Sequence, residues 1–313
     1  MGNNALKVTI WGATVGFLSW DETKQRSFFL FDKEFINKKL DISPIHNSIY
    51  FPSANLQQWG NTDKLYKGLP PFIADSLPDN WGNSVFDAWA KKNNISAKHL
   101  TPLDRLSFTG SRGMGALEFE PAQFEHFENK LLKANELYQI ALEIKKERSN
   151  VHLSIDEVLI EDMYRVGTSA GGKRAKAIIA MNKQGDICSG QIDLPNDYIY
   201  YILKFNDDDT FPFSNVEMAY YQMACDAGIT MMPSRLVTIE QKEHFLTERF
   251  DRRNGEKLHI LTLAAMDCFA TSYEDLFAVC RKLHLPENQI DELYIRMVFN
   301  VLAKNIDDHS KNF

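Results

Sequence analysis

The chain has 313 residues, 44% apolar and 25% charged, which is the composition of a folded protein with room for two domains or one large bilobal one. A net charge of −7 excludes a global electrostatic pull towards nucleic acid and leaves only local basic patches. Cys188, Cys225, Cys268 and Cys280 form no C-x-x-C pair and have no histidine at metal spacing; the N-terminus lacks an apolar signal core, Leu6 stands where a myristoylation motif needs a hydroxyl, and no apolar run approaches a membrane span. The expectation is a soluble cytoplasmic protein with reduced thiols and no membrane partner.

In chain order, 7–18 reads as two strands joined at Gly12, with Val8, Ile10 and Trp11 before the turn and Val15, Phe17 and Leu18 after it. Phe28 to Phe31 is a further β-type run, so the chain opens on a small sheet or barrel whose exposed face is either scaffold or a partner surface. The proline-punctuated stretch 67–82 leads into a helix that Asp79 or Asn80 can cap, with Val85, Phe86 and Trp89 on one side. Three glycines, Gly110, Gly113 and Gly115, fall within six residues; because a short strand rather than a helix follows, a tight structural turn is favoured over a phosphate cradle. An amphipathic helix, or two, is expected over 124–150, ending in the charged run 145–148.

The next segment carries chemistry. Gly167, Gly171 and Gly172, with Thr168 and Ser169, form a small-residue loop followed by Lys173, Arg174 and Lys176 and a short strand over 177–181. The order is not that of a P-loop and fits a hairpin over phosphates, or simply a loop. The run 197–205 is a strong strand carrying Lys204, which is either an edge lysine that resists aggregation or a phosphate partner. A helix over 214–228 follows, with Gly228 as C-cap; Glu217 either completes a capping box with Ser214 or orients Lys204. Strands at 236–239 and 243–253 form a hairpin whose end, 247–250, stands where a kinase hinge meets adenine. Helices are expected over 262–269, 273–283 and 286–303. The last residues place Asp307 and Asn312 five apart, the Asp-x-x-x-x-Asn spacing of a kinase catalytic loop, in which the Asp takes the proton of the attacking hydroxyl and the Asn holds magnesium. Each signal is common alone; their order is not.

With these residues in hand, the chain resembles the HipA-like toxin kinases of bacterial toxin–antitoxin systems. The likeness runs through 40–44, 74–79, Leu103-Asp-Arg-Leu to Gly113-Met-Gly-Ala116, Gly167-Thr-Ser-Ala-Gly-Gly with Lys176, Tyr201-Ile-Leu-Lys204, Thr247-Glu-Arg-Phe-Asp251 and Asp307-Asp-His-Ser-Lys-Asn312. It implies an α+β, two-lobed protein-kinase-like fold of HipA type: an N-terminal β-rich subdomain over 1–120, a kinase N-lobe with Gly-rich loop and hinge over 121–250, and the start of a helical C-lobe over 251–313. It further implies a Ser/Thr protein kinase that uses ATP and Mg2+, slows translation by phosphorylating a protein such as an aminoacyl-tRNA synthetase, and is neutralised by a DNA-binding antitoxin of HipB type, with DNA met only through that antitoxin. Carried over by motif, Asp307 is the catalytic base and Asn312 a magnesium ligand. Lys204, Lys176, Gly171 and Gly172 serve the phosphates, Glu248 and Phe250 the adenine, and Thr168 or Ser169 is the autophosphorylation site.

Two departures from the family pattern stand out. Asp308 puts a second carboxylate beside Asp307, where it either perturbs its neighbour or faces solvent. The family continues past the position of Phe313 and includes a second magnesium-holding Asp, so the resemblance implies a truncated C-lobe and little or no kinase activity for this chain alone. The competing readings are a non-catalytic module that binds an antitoxin or nucleotide, and a small-molecule kinase with the same phosphate-handling groups.

Overall fold

The computed structural model describes residues 5–51, 57–60, 65–96, 100–122, 130–147, 157–167, 172 and 174–313. It is a mixed assembly of antiparallel sheets and helices around three apolar cores.

The first sheet has the order β4-β3-β2-β1-β5, from β1 (Ala5–Ile10), β2 (Ala13–Asp21), β3 (Arg26–Phe31), β4 (Gln57–Gly60) and β5 (Leu117–Glu120). Alternation decides its inner face: Leu6, Val8 and Ile10 of β1 and Phe29 and Phe31 of β3 are buried, while Phe17 and Leu30, cross-strand partners, point outwards. Gly12, at φ +74°, makes the β1–β2 turn as expected. Gly16 is required for closeness, because a Cβ there would lie 2.2 Å from the Leu30 carbonyl oxygen. Helices α1 (Lys33–Asn37) and α2 (Pro71–Ala74) cover this face, with Phe72 meeting Phe29 edge-on at 5.4 Å between centroids.

Three helices follow: α3 (Asn80–Lys92), α4 (Pro102–Thr109) and α5 (Ala134–Glu147). Asp79, not Asn80, caps α3 by accepting from the Gly82 N–H at 2.6 Å. Of the helix expected over 124–150, Ala134–Glu147 forms α5, whereas 130–133 is extended because Leu132 bridges Ile187 of β7; 124–129 and 148–150 lie outside the described residues. With α6 (Glu157–Val166), α3 and α5 bury Trp81, Val85, Phe86, Tyr138, Ile140 and Tyr164 in one core. Each such side chain contributes about 1.5–3 kcal/mol by leaving water.

That core is shared with the second sheet, of order β7-β6-β8-β10-β9, built from β6 (Lys176–Met181), β7 (Ile187–Ser189), β8 (Ile199–Lys204), β9 (Ser234–Ile239) and β10 (Lys242–Glu248). Between β8 and β9 runs α7 (Phe213–Asp226), which packs against β9 and β10. Its N-cap is Pro212, and Ser214 is buried inside the first turn, so the expected Ser214–Glu217 capping box does not form. Gly228 follows the C-cap at φ +79°, as expected.

The strand expected over 243–253 ends at Glu248, and a separate two-residue hairpin, β11 (Arg252–Arg253) and β12 (Glu256–Lys257), turns on Asn254-Gly255. Helices α8 (Leu263–Met266), α9 (Tyr273–Lys282) and α10 (Glu287–Leu302) surround the third core of Leu263, Leu276, Val279 and Cys280, against which Phe313 packs. No helix among the described residues is long and apolar enough to cross a membrane, and all four cysteines are free thiols.

Candidate functional site

Two lysine–carboxylate pairs lie side by side on the second sheet. Lys176 and Lys204 are direct cross-strand partners on β6 and β8, so their side chains share a face. Lys204 Nζ meets Glu217 Oε2, one turn into α7, at 2.6 Å, and the pair is partly open, with side chains 36% and 28% exposed. Of the two roles the sequence left to Glu217, the lysine partnership is the one formed. Its sequence position, one turn into the helix that follows the lysine strand, was the only signal available.

Lys176 is placed differently. It is buried, its Nζ lies 2.8 Å from Asp79 Oδ2 at the head of α3, and it donates to the Gly172 carbonyl at 3.2 Å. Burial lowers its pKa, the Asp79 carboxylate works against that, and the charge of Lys204 lowers it further. With Lys176 closed in by Asp79, the cation that remains open to a ligand is Lys204. Gly172, at φ +104°, is thus held at the base of the glycine-rich segment by Lys176. Thr168, Ser169 and Gly171 lie outside the described residues.

At the end of β10 the Glu248 N–H donates to the Pro233 carbonyl at 3.0 Å and the Arg249 N–H to the Tyr200 carbonyl at 2.9 Å. Phe250 projects its ring into solvent. Behind it sits a fully buried ionic knot. Arg249 grips both oxygens of Asp251 at 2.8 and 2.7 Å and donates to the Gly190 carbonyl; Arg252 and the Gly115 N–H also donate to Asp251, at 2.7 and 2.8 Å. Burial raises the Asp251 pKa, but the hydrogen bonds and charges of these partners outweigh it and hold the carboxyl below its usual range. The glycine-rich turn at 110–115 therefore holds a carboxylate of the protein itself, in keeping with the structural reading given to it.

The terminal loop closes on itself: the Asn312 amide donates to the backbone carbonyl of Asp307, and the Asn312 N–H donates to the His309 carbonyl at 2.8 Å. The Asp307 carboxylate is 88% exposed, with His309 Nε2 3.6 Å away. Asp308 does not face solvent freely, because it accepts from the Tyr273 hydroxyl at 2.7 Å, which in turn accepts from the Asn300 amide at 2.9 Å. The Phe313 carbonyl accepts from the Leu263 N–H at 2.7 Å, and Tyr220 of α7 donates to the Ala303 carbonyl at 2.6 Å, tying the helix of Glu217 to the end of α10. Among the described residues no hydrogen bond or ion pair joins the Asp307 loop to Lys204.

A family model of the HipA N-terminal domain matches residues 6–120, and one of the HipA-like C-terminal domain matches 168–313. The chain belongs to the HipA-like family. Among solved structures it is similar to HipA of the Shewanella oneidensis MR-1 toxin–antitoxin system, determined in complex with HipB and its operator DNA: TM-score 0.62, 18% identity, 98% of this chain and 71% of that one covered. At that identity the likeness establishes the HipA fold. No curated protein sequence matches.

Proposed function

We propose that this HipA-like chain is the nucleotide-binding and catalytic-loop portion of an ATP-dependent Ser/Thr protein kinase, acting in the cytoplasm. The observation that carries this is the half-open Lys204–Glu217 pair at 2.6 Å, a cation held on a strand by a helix carboxylate yet accessible to a ligand. Such a pair fits the α/β-phosphates of ATP, because Glu217 fixes the ammonium while leaving donors to spare. Glu248 to Phe250 would meet adenine through the backbone, and the Gly172 segment, anchored by Lys176, would cover the phosphates. Asp307 would accept the proton of an acceptor hydroxyl, and its exposure leaves it open to a protein substrate. Thr168 and Ser169 remain the candidates for self-modification. By domain, 1–120 would form the N-terminal subdomain, 121–250 the ATP-binding lobe and 251–313 the start of the catalytic lobe.

Magnesium would neutralise charge on the transferred phosphoryl group when bound. Asn312 fits it as a single oxygen donor, since its amide nitrogen is engaged with Asp307. A nucleotide-binding module without turnover is the second reading. The neutralising partner we assign is a DNA-binding antitoxin of HipB type, and the acceptor a protein, of which an aminoacyl-tRNA synthetase is one case.

Calorimetry with ATP and magnesium tests the assignment. Lys204→Ala should weaken nucleotide binding about tenfold or more, a loss of about 1.4 kcal/mol or greater. Asp307→Asn should bind nucleotide like the parent and abolish whatever transfer of labelled γ-phosphate the parent shows. Undiminished ATP binding by Lys204→Ala would overturn it.

A further inference from the structure

Three cations that the site above does not use converge beside the catalytic loop. Short α8 brings two of them together from opposite ends of the chain. The Tyr66 hydroxyl donates to the Ala264 carbonyl at 2.8 Å, and the adjacent Leu263 N–H donates to the Phe313 carbonyl at 2.7 Å. Lys67 and Lys311, next in sequence to these contacts or two residues away, are thereby held on neighbouring turns. Lys311 lies within the loop that Asn312 closes on Asp307, so the cluster adjoins the proposed base.

Arg105 of α4 is the third. It is fixed by the Asn83 side-chain oxygen at 2.6 Å, more loosely by Asp87 at 3.3 Å, and lies over the Phe86 ring. Lys67 is half-buried, and its pKa is lowered first by burial and then by the charges of Arg105 and Lys311. Among the described residues neither Lys67 nor Lys311 has a carboxylate within ion-pair distance. Two carboxylates face the group. Asp87 is half-exposed and already shared with Arg105, while Asp75 is buried and committed to the Thr262 N–H and hydroxyl at 2.8 and 2.9 Å. The half-buried Lys67 thus lies near the charges of Arg105 and the exposed Lys311 with no carboxylate of its own, and an anion would relieve that repulsion.

We propose that Lys67, Arg105 and Lys311 form a docking site for a carboxylate-bearing polypeptide segment flanking the acceptor hydroxyl. Its role as a substrate site rests on the kinase assignment above, but the binding itself does not. A short acidic segment suits it better than nucleic acid, because the cluster is confined to three side chains between Asp75 and Asp87 on a chain of net charge −7, with no extended basic track for a phosphate backbone. It is also distinct from the phosphate cation Lys204.

The test is fluorescence anisotropy on the full chain, without nucleotide and at low ionic strength. The probes are a labelled peptide with one serine flanked by glutamates, its glutamine-flanked counterpart and a labelled single-stranded oligonucleotide. The glutamate peptide should bind about tenfold tighter than the glutamine one, with that preference lost on adding salt. Lys67→Glu and Lys311→Glu should each abolish the preference, whereas Lys183→Glu, an equal charge change on the exposed β6–β7 turn, should keep it. Circular dichroism confirms that each variant is folded, and Arg105→Gln provides a milder third variant. Equal binding of the two peptides, retention of the preference in both lysine variants, or tighter binding of the oligonucleotide would overturn the proposal. Calorimetry with ATP on the same preparations separates the two assignments: loss of ATP binding by the parent removes the kinase reading and leaves the peptide result standing.

Discussion

Asp251 shows how a single carboxylate can close a structure. It has no exposed surface and accepts from Arg249, Arg252 and the Gly115 N–H, so it joins the glycine-rich turn to the end of β10. Replacing it with Ala would leave the buried Arg249 guanidinium without its carboxylate, and urea denaturation should show a loss of about 3–5 kcal/mol. Its folded pKa is depressed, so its stabilisation is present above the unfolded value of about 3.8 and is lost as pH falls below that. His244 acts nearer neutrality. Its Nδ1 accepts from the Asn206 N–H at 2.9 Å, which requires the neutral ring, and burial lowers its pKa from 6.5. The folded ring therefore binds a proton less readily than the unfolded one, and stability should decline as pH falls below about 6.5. Denaturation midpoints at pH 7.5 and 5.5 should separate in the parent chain and draw closer in His244→Gln; His259, lowered by burial as well, accounts for a remaining difference. Lys204 and Glu217 were legible because strand and helix follow one another in sequence. Asp79 with Lys176, and Asp251 with Gly115, were not, because only the folded chain brings them together.

At the scale of elements, periodicity and turn chemistry carried most of the reading. The β-type runs read at 7–18 and 28–31 became the strands β1 to β3, and the turn Glu240-Gln241, with both residues at positive φ, closes the β9–β10 hairpin. What failed was local in character. Asn254-Gly255, a strong hairpin signal, was passed over and the preceding strand was carried on to Arg253 although it ends at Glu248, and Ser214 resembled an N-cap although the helix begins one residue before it, at Phe213, with Pro212 as its cap. Short α2 and α4 carry too few residues to display a period and were not singled out. Two glycines in the first sheet separate conformation from space. Gly12→Ala meets open space and should cost about 1 kcal/mol for its positive φ alone. Gly16→Ala drives a methyl to within 2.2 Å of the Leu30 oxygen, forces β2 and β3 apart, and should cost about 2–3 kcal/mol. Thermal unfolding of the two variants side by side would show the order, and equal losses would contradict it.

Across the whole molecule, the N-terminal third and the last third are pinned together at points sequence alone does not expose. Trp11 donates to the Lys257 carbonyl, His259 bonds the Ile42 carbonyl, His46 meets Asp267 at 2.8 Å, and Asp75 receives both the N–H and the hydroxyl of Thr262 at the head of α8. These contacts place the 305–313 end of the chain on the first sheet's helices, so the position of that loop depends on a subdomain that carries none of the groups proposed to handle nucleotide. Asp75 is the strongest of the ties by count of hydrogen bonds, yet burial raises its pKa, so part of its gain is offset by desolvation. Removing it in Asp75→Ala should cost a net of about 1–2 kcal/mol, concentrated where the bonds were lost. Hydrogen exchange followed by mass spectrometry would locate that loss. Amides of α8 and of the 310–312 turn should exchange about tenfold faster, whereas those of β6 and β8 in the second sheet should keep the parent's protection. A uniform rise in exchange across all elements would instead show that Asp75 stabilises the fold as one unit and that the loop is not held separately by the first subdomain.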